Sequence, residues 1–236
     1  MKQNNGLVVI HQPDFLPYLG FFHRLLIADI YIVLDNVQFV SSSSSWNNRD
    51  KIKTPQGAKW ITVPVKKCPR NTMINKVVIS CAVDWKKNHL AQYRLNYLKT
   101  KHFDEVYSYL EELYRENMEL FSDFSYASIE MLMQMLGVNI PVVFSSSLNV
   151  EGTSNTRIAN LVKAVGSSRY LSGIGARDYF EPRIYEEKGV EVVWQDFAHP
   201  VYPQLHGEFI PYLSSIDLLF NCGIQESRDI LRRCLK

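Results

Sequence analysis

The segment LVVIHQPDFLPYLGFFHRLLIADIYIVL, residues 7–34, carries the strongest signal of the fold class. Its apolar, β-branched start predicts a short buried strand that stops at His11. Apolar residues then recur over residues 18–28 as in a largely buried helix, and IYIVL, residues 30–34, predicts a second strand. Strand, Pro/Gly loop, helix and strand in so short a span indicate a βαβ unit, and therefore a parallel pair of strands.

The same alternation returns near the other end of the chain. Further strands are predicted in five segments: KWITVPV (59–65), NKVVIS (75–80), IPVVFSS (140–146), RYLSG (169–173) and EVVWQ (191–195). Three consecutive helical patterns predict a helical insertion over about residues 84–137, and two helices, broken near Gly223, close the chain. We therefore predict one α/β domain over residues 1–236. It has a parallel-rich sheet with flanking helices, Rossmann-like or nucleotidyltransferase-like, plus this central helical region.

Composition limits the classes of function. The net charge is +2, from 26 basic and 24 acidic residues, which gives no electrostatic basis for binding nucleic acid. The four cysteines form no CxxC pair and show no metal-ligand spacing with histidine, so we expect free thiols and no metal site. The N-terminus does not have the pattern of a signal peptide, and no window has the roughly 20 apolar residues of a membrane helix. We expect a cytoplasmic protein that does not insert into a membrane.

The loop that follows the first strand is the first candidate site. In α/β sheets, ligands bind beyond the carboxyl ends of the strands, where helix N-termini favour anions. His11 and Gln12 stand at such an end, and Gly20 would allow a ligand to approach the backbone. The alternative is a proline-shaped turn whose histidine forms a local hydrogen bond. The residues alone leave these two interpretations open.

Two other segments carry polar groups suited to a phosphate or a sugar. WNNRDKIKT, residues 46–54, combines Trp46 with Asn48, Arg49 and Lys51; an arginine can bind phosphate through two hydrogen bonds, and an indole can stack on a ring. LSGIGARDYF, residues 171–180, has a Gly-x-Gly loop after a strand, which can cradle a phosphate. The alternatives are a solvated polar loop for the first segment and an ordinary strand-to-helix turn for the second. Residues 41–45, five consecutive serines, predict a mobile surface loop.

The fourth candidate is WQDFAHPVYPQLHGEF, residues 194–209. A His-Pro turn at His199, near Asp196, could supply acid–base chemistry. The spacing of His199 and His206 does not indicate a metal site, and a structural histidine is the competing interpretation. No GxSxG, HExxH, Walker A or complete GxGxxG motif is present, so no single motif fixes a reaction.

Taken together, these segments resemble the WbqC-like family. The blocks HQPDFLPYLGFFHRLLIADIYIVLDNVQF, NNRDKIKTPQG, WITVPV, YLSGIGARDYF and HPVYPQLHGEFIPYLSSIDLLFNCG occur in the order typical of that family. One departure is the serine run at residues 41–45, where family members usually have a short linker with a lysine. A role for that cation would pass here to Arg49, Lys51 or Lys53.

The resemblance implies a role in bacterial O-antigen and other surface-polysaccharide biosynthesis. An activity proposed for such proteins is attachment of an amino acid such as glycine to an amino sugar. The layout is also similar to the nucleotide-binding fold of pantothenate synthetase and related adenylate-forming ligases, which activate a carboxylate with ATP. The second histidine of the His-x-Gly-His signature of those ligases has no clear counterpart here, because Phe21 and Phe22 follow Gly20.

Our hypothesis from the sequence is an enzyme that N-acylates an amino sugar nucleotide. The candidate catalytic residues are His11, Asp35 and His199. The candidate substrate-binding residues are Gln12, Gln38, Trp46, Asn48, Arg49, Lys51, Ser172, Gly173, Gly175, Tyr202, Gln204 and Asp217. The sequence does not identify a cofactor, although an adenylate route would use ATP and Mg²⁺. The alternative is a non-catalytic protein of the same pathway that binds a glycan or a partner enzyme.

Overall fold

The first strand forms the centre of a parallel sheet. The computed structural model describes residues 6–40 and 46–235, so the predicted mobile loop at residues 41–45 lies outside the described residues. The strands are Leu7–His11 (β1), Ile30–Val33 (β2), Arg49–Thr54 (β3), Gly57–Thr62 (β4), Val142–Phe144 (β5), Arg169–Ser172 (β6) and Glu191–Trp194 (β7). Five of them form one sheet in the order β5-β2-β1-β6-β7, with every neighbouring pair parallel. The predicted α/β fold with a parallel sheet is confirmed.

Helices cover both faces of this sheet. The α-helices are Leu19–Ile27 (α1), Trp85–Tyr97 (α2), Phe103–Arg115 (α3), Phe121–Leu136 (α4), Ser154–Ala164 (α5), Pro182–Glu187 (α6) and Ser215–Arg233 (α7). Val8 and Ile10 of β1 point to the face covered by α5 and α6, whereas Val9 points to the larger core that includes α1, α4 and α7. Alternating apolar residues are buried on both faces because a parallel sheet has helices on each side.

The strand order places a topological switch point beside β1. The chain proceeds outward from β1 to β2 and β5, then returns to the other side of β1 with β6 and β7. The connections at the carboxyl ends of β1 and β6 therefore diverge to opposite faces and leave a crevice between them. Such crevices are where open α/β sheets bind ligands.

Outside the sheet, β3 and β4 form an antiparallel hairpin in which Thr54 pairs with Gly57. The sequence did not predict β3, whose residues RDKIKT look like a solvated loop. Its Lys53 is nevertheless buried, because the ammonium group donates hydrogen bonds to the backbone oxygens of Gly207 (3.2 Å) and Glu208. A distant loop therefore supplies the partners that allow this charged segment to be a buried strand.

The prediction of a strand over residues 75–80 is wrong. A short 3₁₀ turn, Ile74–Lys76, begins this segment, and only isolated bridges follow, from Ile79 to Val65 and from Val78 to Leu120. Neither bridge can grow into a β-ladder. Beside the Val65 bridge, Pro64 has no N–H group to donate, and beside the Leu120 bridge, helix α4 begins at residue 121.

The residues predicted to start, end or break helices do so in the structure. The Asp84 side chain caps α2 by accepting a hydrogen bond from the Lys87 N–H group, and Gly137 ends α4 with φ of 66°. Gly223 interrupts α7 with φ of 76° and ψ of 169°, where the sequence predicts the break between two helices. Helices α2, α3 and α4 occupy the segment between β4 and β5. Its description as an insertion into a single domain stays a prediction.

Candidate functional site

A large cavity opens at the switch point. Its volume is about 1040 Å³, and it is lined by the loop after β1, the loop after β6 and the first turn of α5. Residues just before and within β3, among them Trp46, Asn47 and Asp50, also line it. The cavity therefore lies where the strand order alone predicts a ligand site, and the sequence-predicted residues that line it are His11, Gln12, Trp46, Ser172, Gly173 and Gly175.

His11 is the histidine that lines this cavity. Its Nδ1 lies 3.0 Å from the backbone oxygen of Gln12 and 3.5 Å from a carboxylate oxygen of Asp14. A carbonyl oxygen only accepts, so Nδ1 carries the proton and Nε2 is left as the basic nitrogen. Burial chiefly, and the positive charge of Arg24 next, lower the pKa of His11, while Asp14 acts in the opposite direction. The imidazole is therefore neutral near pH 7 and able to accept a proton.

The loop that carries His11 is held on one side by Asn47. The amide of Asn47 donates hydrogen bonds to the side-chain oxygens of Gln12 and Asp14, the latter at 2.7 Å. The Asn47 backbone oxygen accepts the Phe15 N–H group at 2.8 Å. The segment that leads into β3 thus fixes the positions of three loop residues beside His11.

Helix α4 holds the same loop on its other side. The Ser125 hydroxyl donates to the Pro13 backbone oxygen at 2.7 Å, and the Ser128 hydroxyl accepts the Leu16 N–H group at 3.1 Å. Leu16 has φ of 45°, a left-handed conformation that a leucine adopts only when its surroundings enforce it. The loop is therefore preorganised, which is a requirement for a site that positions a ligand.

Asp50 supplies a second carboxyl group to the cavity. It is 5% exposed, and one of its oxygens accepts the Lys51 N–H group at 2.6 Å. Burial raises the pKa of this carboxyl group well above its usual range; the charge of Asp14 adds to the rise and the Lys51 N–H group opposes it. A carboxyl group in this state can hold a proton at higher pH than an exposed aspartate, which is typical of acid–base residues.

Arg24, on α1, brings a buried positive charge to the cavity. The residue is 6% exposed and lines the cavity, yet its Nε has no hydrogen-bond partner. Its guanidinium group forms no hydrogen bond or ion pair with any residue of ranges 6–40 and 46–235. It lies against Gly173, where an added Cβ atom would be 2.7 Å from the arginine Nη1.

Arg24, Asp14 and Asp50 were not predicted from the sequence, although all three line the cavity. For Arg24 a usable signal exists, because α1 has apolar residues on all sides and leaves no solvent-facing stripe for a charge. Asp50 gave no comparable signal, since its burial depends on how β3 packs. Asp14 follows His11 by three residues, in the same loop as the residues that were selected.

Asp35 is placed in a buried hydrogen-bond cluster and is not among the cavity-lining residues. One of its oxygens accepts the Ser145 hydroxyl at 2.9 Å and the Ser146 N–H group at 3.0 Å, and the other accepts the Asn75 amide at 3.2 Å. These contacts join the carboxyl ends of β2 and β5. Gln38 pairs with Met73 in an isolated bridge nearby, and it does not line the cavity either.

Asp217 is the centre of a second buried cluster. It accepts hydrogen bonds from Tyr97 at 2.7 Å, Tyr202 at 2.9 Å and Gln204 at 2.8 Å. Burial raises the pKa of Asp217, and these three donors oppose the rise. The cluster joins α2, α7 and the loop over residues 202–204, and the cavity lining includes none of these four residues.

His199 packs among aromatic rings behind the cavity wall. Its Nδ1 donates to the Pro200 backbone oxygen at 2.9 Å, and its Nε2 is buried without a partner. Burial lowers the pKa of this histidine. Its ring contacts Phe197 and Tyr212, which do line the cavity, whereas His199 does not.

The predicted basic residues of the 46–54 segment lie on the hairpin. The Lys51 ammonium group is 4.8 Å from the ring centres of both Trp46 and Trp60, and the Arg49 guanidinium group is 4.2 Å from that of Trp60. The Asn48 amide donates to the Val63 backbone oxygen at 2.9 Å. Of this group only Trp46, which is 44% exposed, reaches the cavity.

No group of three or more His, Cys, Asp or Glu side chains within residues 6–40 and 46–235 is arranged to hold a metal ion. None of the helices in the described part of the chain is long and apolar enough to cross a membrane.

Comparison with known proteins places the chain in a family. A model of the WbqC-like protein family matches residues 12–229, which include the His11 loop from Gln12 onward, both buried clusters and α7 up to Asp229. An uncharacterized protein of Mycobacterium tuberculosis, Rv1507c, is 32% identical over 229 residues, covering 96% of this chain and 98% of the relative. No solved structure shows a significant match. The chain belongs to the WbqC-like family.

Proposed function

We propose that this protein is an enzyme of bacterial surface-polysaccharide biosynthesis that N-acylates an amino sugar nucleotide. The acyl group would come from an amino acid such as glycine or from another small acid. One observation carries the proposal: a neutral histidine, His11, stands with Asp14 and the buried Asp50 on one large cavity at the carboxyl edge of a parallel sheet.

The reaction requires a proton acceptor that is unprotonated near pH 7. The sugar amino group attacks the carbonyl carbon of an activated acyl group, the C–N bond forms, and the nitrogen loses a proton as the activating group leaves. His11 is suited to take that proton through Nε2, because Nδ1 is held by the Gln12 backbone oxygen. Asp14 would stabilise the imidazolium that forms, at 3.5 Å from Nδ1.

In an adenylate route, ATP with Mg²⁺ would activate the carboxyl group. In that route a carboxylate oxygen would attack the α-phosphorus of ATP and release pyrophosphate, and AMP would leave when the amine attacks. The cavity, about 1040 Å³, is slightly larger than the roughly 300–1,000 Å³ range of small-molecule sites. That size suits a sugar nucleotide better than a single small acid.

The test is product formation from a panel of amino sugar nucleotides mixed with amino acids, ATP and Mg²⁺, with product mass as the readout. We expect a mass gain equal to the amino acid minus water, dependent on ATP, and a large loss of turnover in His11→Asn. His102→Asn is the matched control: His102 also has 29% side-chain exposure and an acidic partner three residues later, but it does not line the cavity.

Two results would overturn the proposal. Wild-type turnover in His11→Asn would remove the histidine from the chemistry. Binding of an amino sugar nucleotide without any product across the panel would favour the non-catalytic binding protein.

A further inference from the structure

Arg24 carries a charge to which no residue within 6–40 and 46–235 offers a partner. A buried charge is costly unless a counterion or a hydrogen-bond acceptor compensates it. Arg24 is 6% exposed and its Nε is buried and unpaired. A group that the fold buries without compensation, on the wall of a cavity, indicates that its partner is a ligand.

The carboxylates of the same cavity are engaged elsewhere. Asp14 accepts from the Asn47 amide at 2.7 Å and lies 3.5 Å from His11. Asp50 accepts the Lys51 N–H group at 2.6 Å, and burial favours its neutral form. Neither lies within 4.0 Å of the Arg24 guanidinium nitrogens, so within the described part of the chain the charge stays open to an external anion.

The surroundings of Arg24 favour a phosphate over a carboxylate. Gly173 has no side chain where a Cβ atom would lie 2.7 Å from Nη1, so the backbone at the end of β6 approaches the guanidinium closely. A second arginine, Arg157, lines the cavity with a buried, unpaired Nε, while its Nη2 donates to Asn36 at 2.7 Å. The first turn of α5, which carries Arg157, has no acidic residue and contributes Ser154 and Asn155 to the lining.

We infer that Arg24, with the Gly173 backbone beside it and Arg157 on the same cavity, forms a subsite for the diphosphate group of a nucleotide. Two guanidinium groups and a helix N-terminus supply more positive charge than one carboxylate needs, and guanidinium matches phosphate oxygens through paired hydrogen bonds. In this proposal Arg24 binds the phosphate groups, a role that the sequence suggested for Arg49 and Lys51. It rests on the proposed function only for the statement that the nucleotide belongs to an amino sugar or to ATP.

The test is calorimetric titration of the full chain with inorganic pyrophosphate, UDP, ATP and glycine. For pyrophosphate we expect Arg24→Met to weaken binding by at least about tenfold, because a hydrogen-bonded ion pair is lost. Arg169→Met is the control, since Arg169 lies at the start of β6, pairs with Glu191 at 3.0 Å and does not line the cavity. If UDP binds more tightly than ATP, the diphosphate belongs to a sugar nucleotide; if ATP binds more tightly, it belongs to ATP. Either result supports the subsite.

A second measurement separates a ligand-binding arginine from a structural one. Without ligand, Arg24→Met should melt at the same temperature as the wild type or higher, because the substitution removes an uncompensated buried charge while keeping most of the volume. Gly173→Ala should also weaken pyrophosphate binding, since its Cβ would displace the guanidinium group. This variant keeps the charge and tests the same contact if Arg24→Met folds poorly.

Three results would overturn the subsite: no pyrophosphate binding by the wild type at millimolar concentration, wild-type affinity in Arg24→Met, or binding of glycine that Arg24→Met abolishes while pyrophosphate binding persists. None of them depends on turnover. Failure of the acylation assay with intact pyrophosphate binding would therefore reject the reaction and leave the subsite standing.

Discussion

His89 should make the stability of the protein depend on pH. The residue, in α2, is buried, and its Nε2 donates to the Thr62 backbone oxygen at 3.0 Å while its Nδ1 accepts from the Tyr114 hydroxyl at 2.9 Å. Its ring also lies 6.1 Å from that of Phe15, in the loop after His11. Burial lowers the pKa of His89 from the ordinary value of 6.5 to about 4, with the Thr62 oxygen opposing the shift.

The direction of the pH dependence follows from which state, folded or unfolded, binds more protons. Between about pH 6.5 and pH 4 the unfolded chain holds a proton on this histidine and the folded chain does not, so stability falls as the pH falls. The whole difference in pKa corresponds to about 3 kcal/mol, of which about 2 kcal/mol is lost between pH 7 and pH 5.

The assay is urea unfolding of the wild type and of His89→Gln at several pH values in that window. Gln does not titrate, and the pH dependence of every other group cancels in the difference between the two proteins. We expect the free energy of unfolding of the wild type, relative to the variant, to drop by about 2 kcal/mol between pH 7 and pH 5. A difference that stays constant with pH would mean that His89 has the same pKa in the folded and unfolded states, contrary to this prediction.

Two substitutions test the packing that supports the cavity. Asp217→Asn should lower the free energy of unfolding by about 3 kcal/mol in urea melts. The carboxylate accepts three hydrogen bonds, and the amide N–H group of the variant would face one or more of the same donors. A loss under about 1 kcal/mol would show that the cluster tolerates a neutral centre. Gly20→Ala should cost about 1–3 kcal/mol, because the new Cβ would lie 2.4 Å from the ring of Tyr18; an unchanged melting temperature would mean that the ring moves freely.

The parts of the fold that could be predicted from the sequence are those with local signals. The β1–α1–β2 unit follows from apolar runs a few residues apart, and the end of α4 follows from Gly137. Strand β3 could not be predicted, because four of its six residues are charged and Lys53 is satisfied by backbone oxygens of residues 207 and 208.

Among the residues of the candidate site, too, only those with a local sequence signal could be predicted. His11 and Gln12 could be selected because polar residues at the end of a buried strand point to a ligand edge. Asp50 depends on long-range burial that no local pattern encodes. The structure also places Asp35 and Asp217 in buried clusters where their hydrogen-bond partners come from distant segments, so sequence alone could not separate them from cavity residues.

The most direct test of the central claim, that the crevice between β1 and β6 is the ligand site, is a crystal structure of the protein with a bound amino sugar nucleotide. We expect the diphosphate beside Arg24 and Gly173 and the sugar amino group within hydrogen-bond reach of His11. Ligand density on the outer face of the hairpin, between Arg49 and Lys51, with the cavity free of ligand, would contradict it.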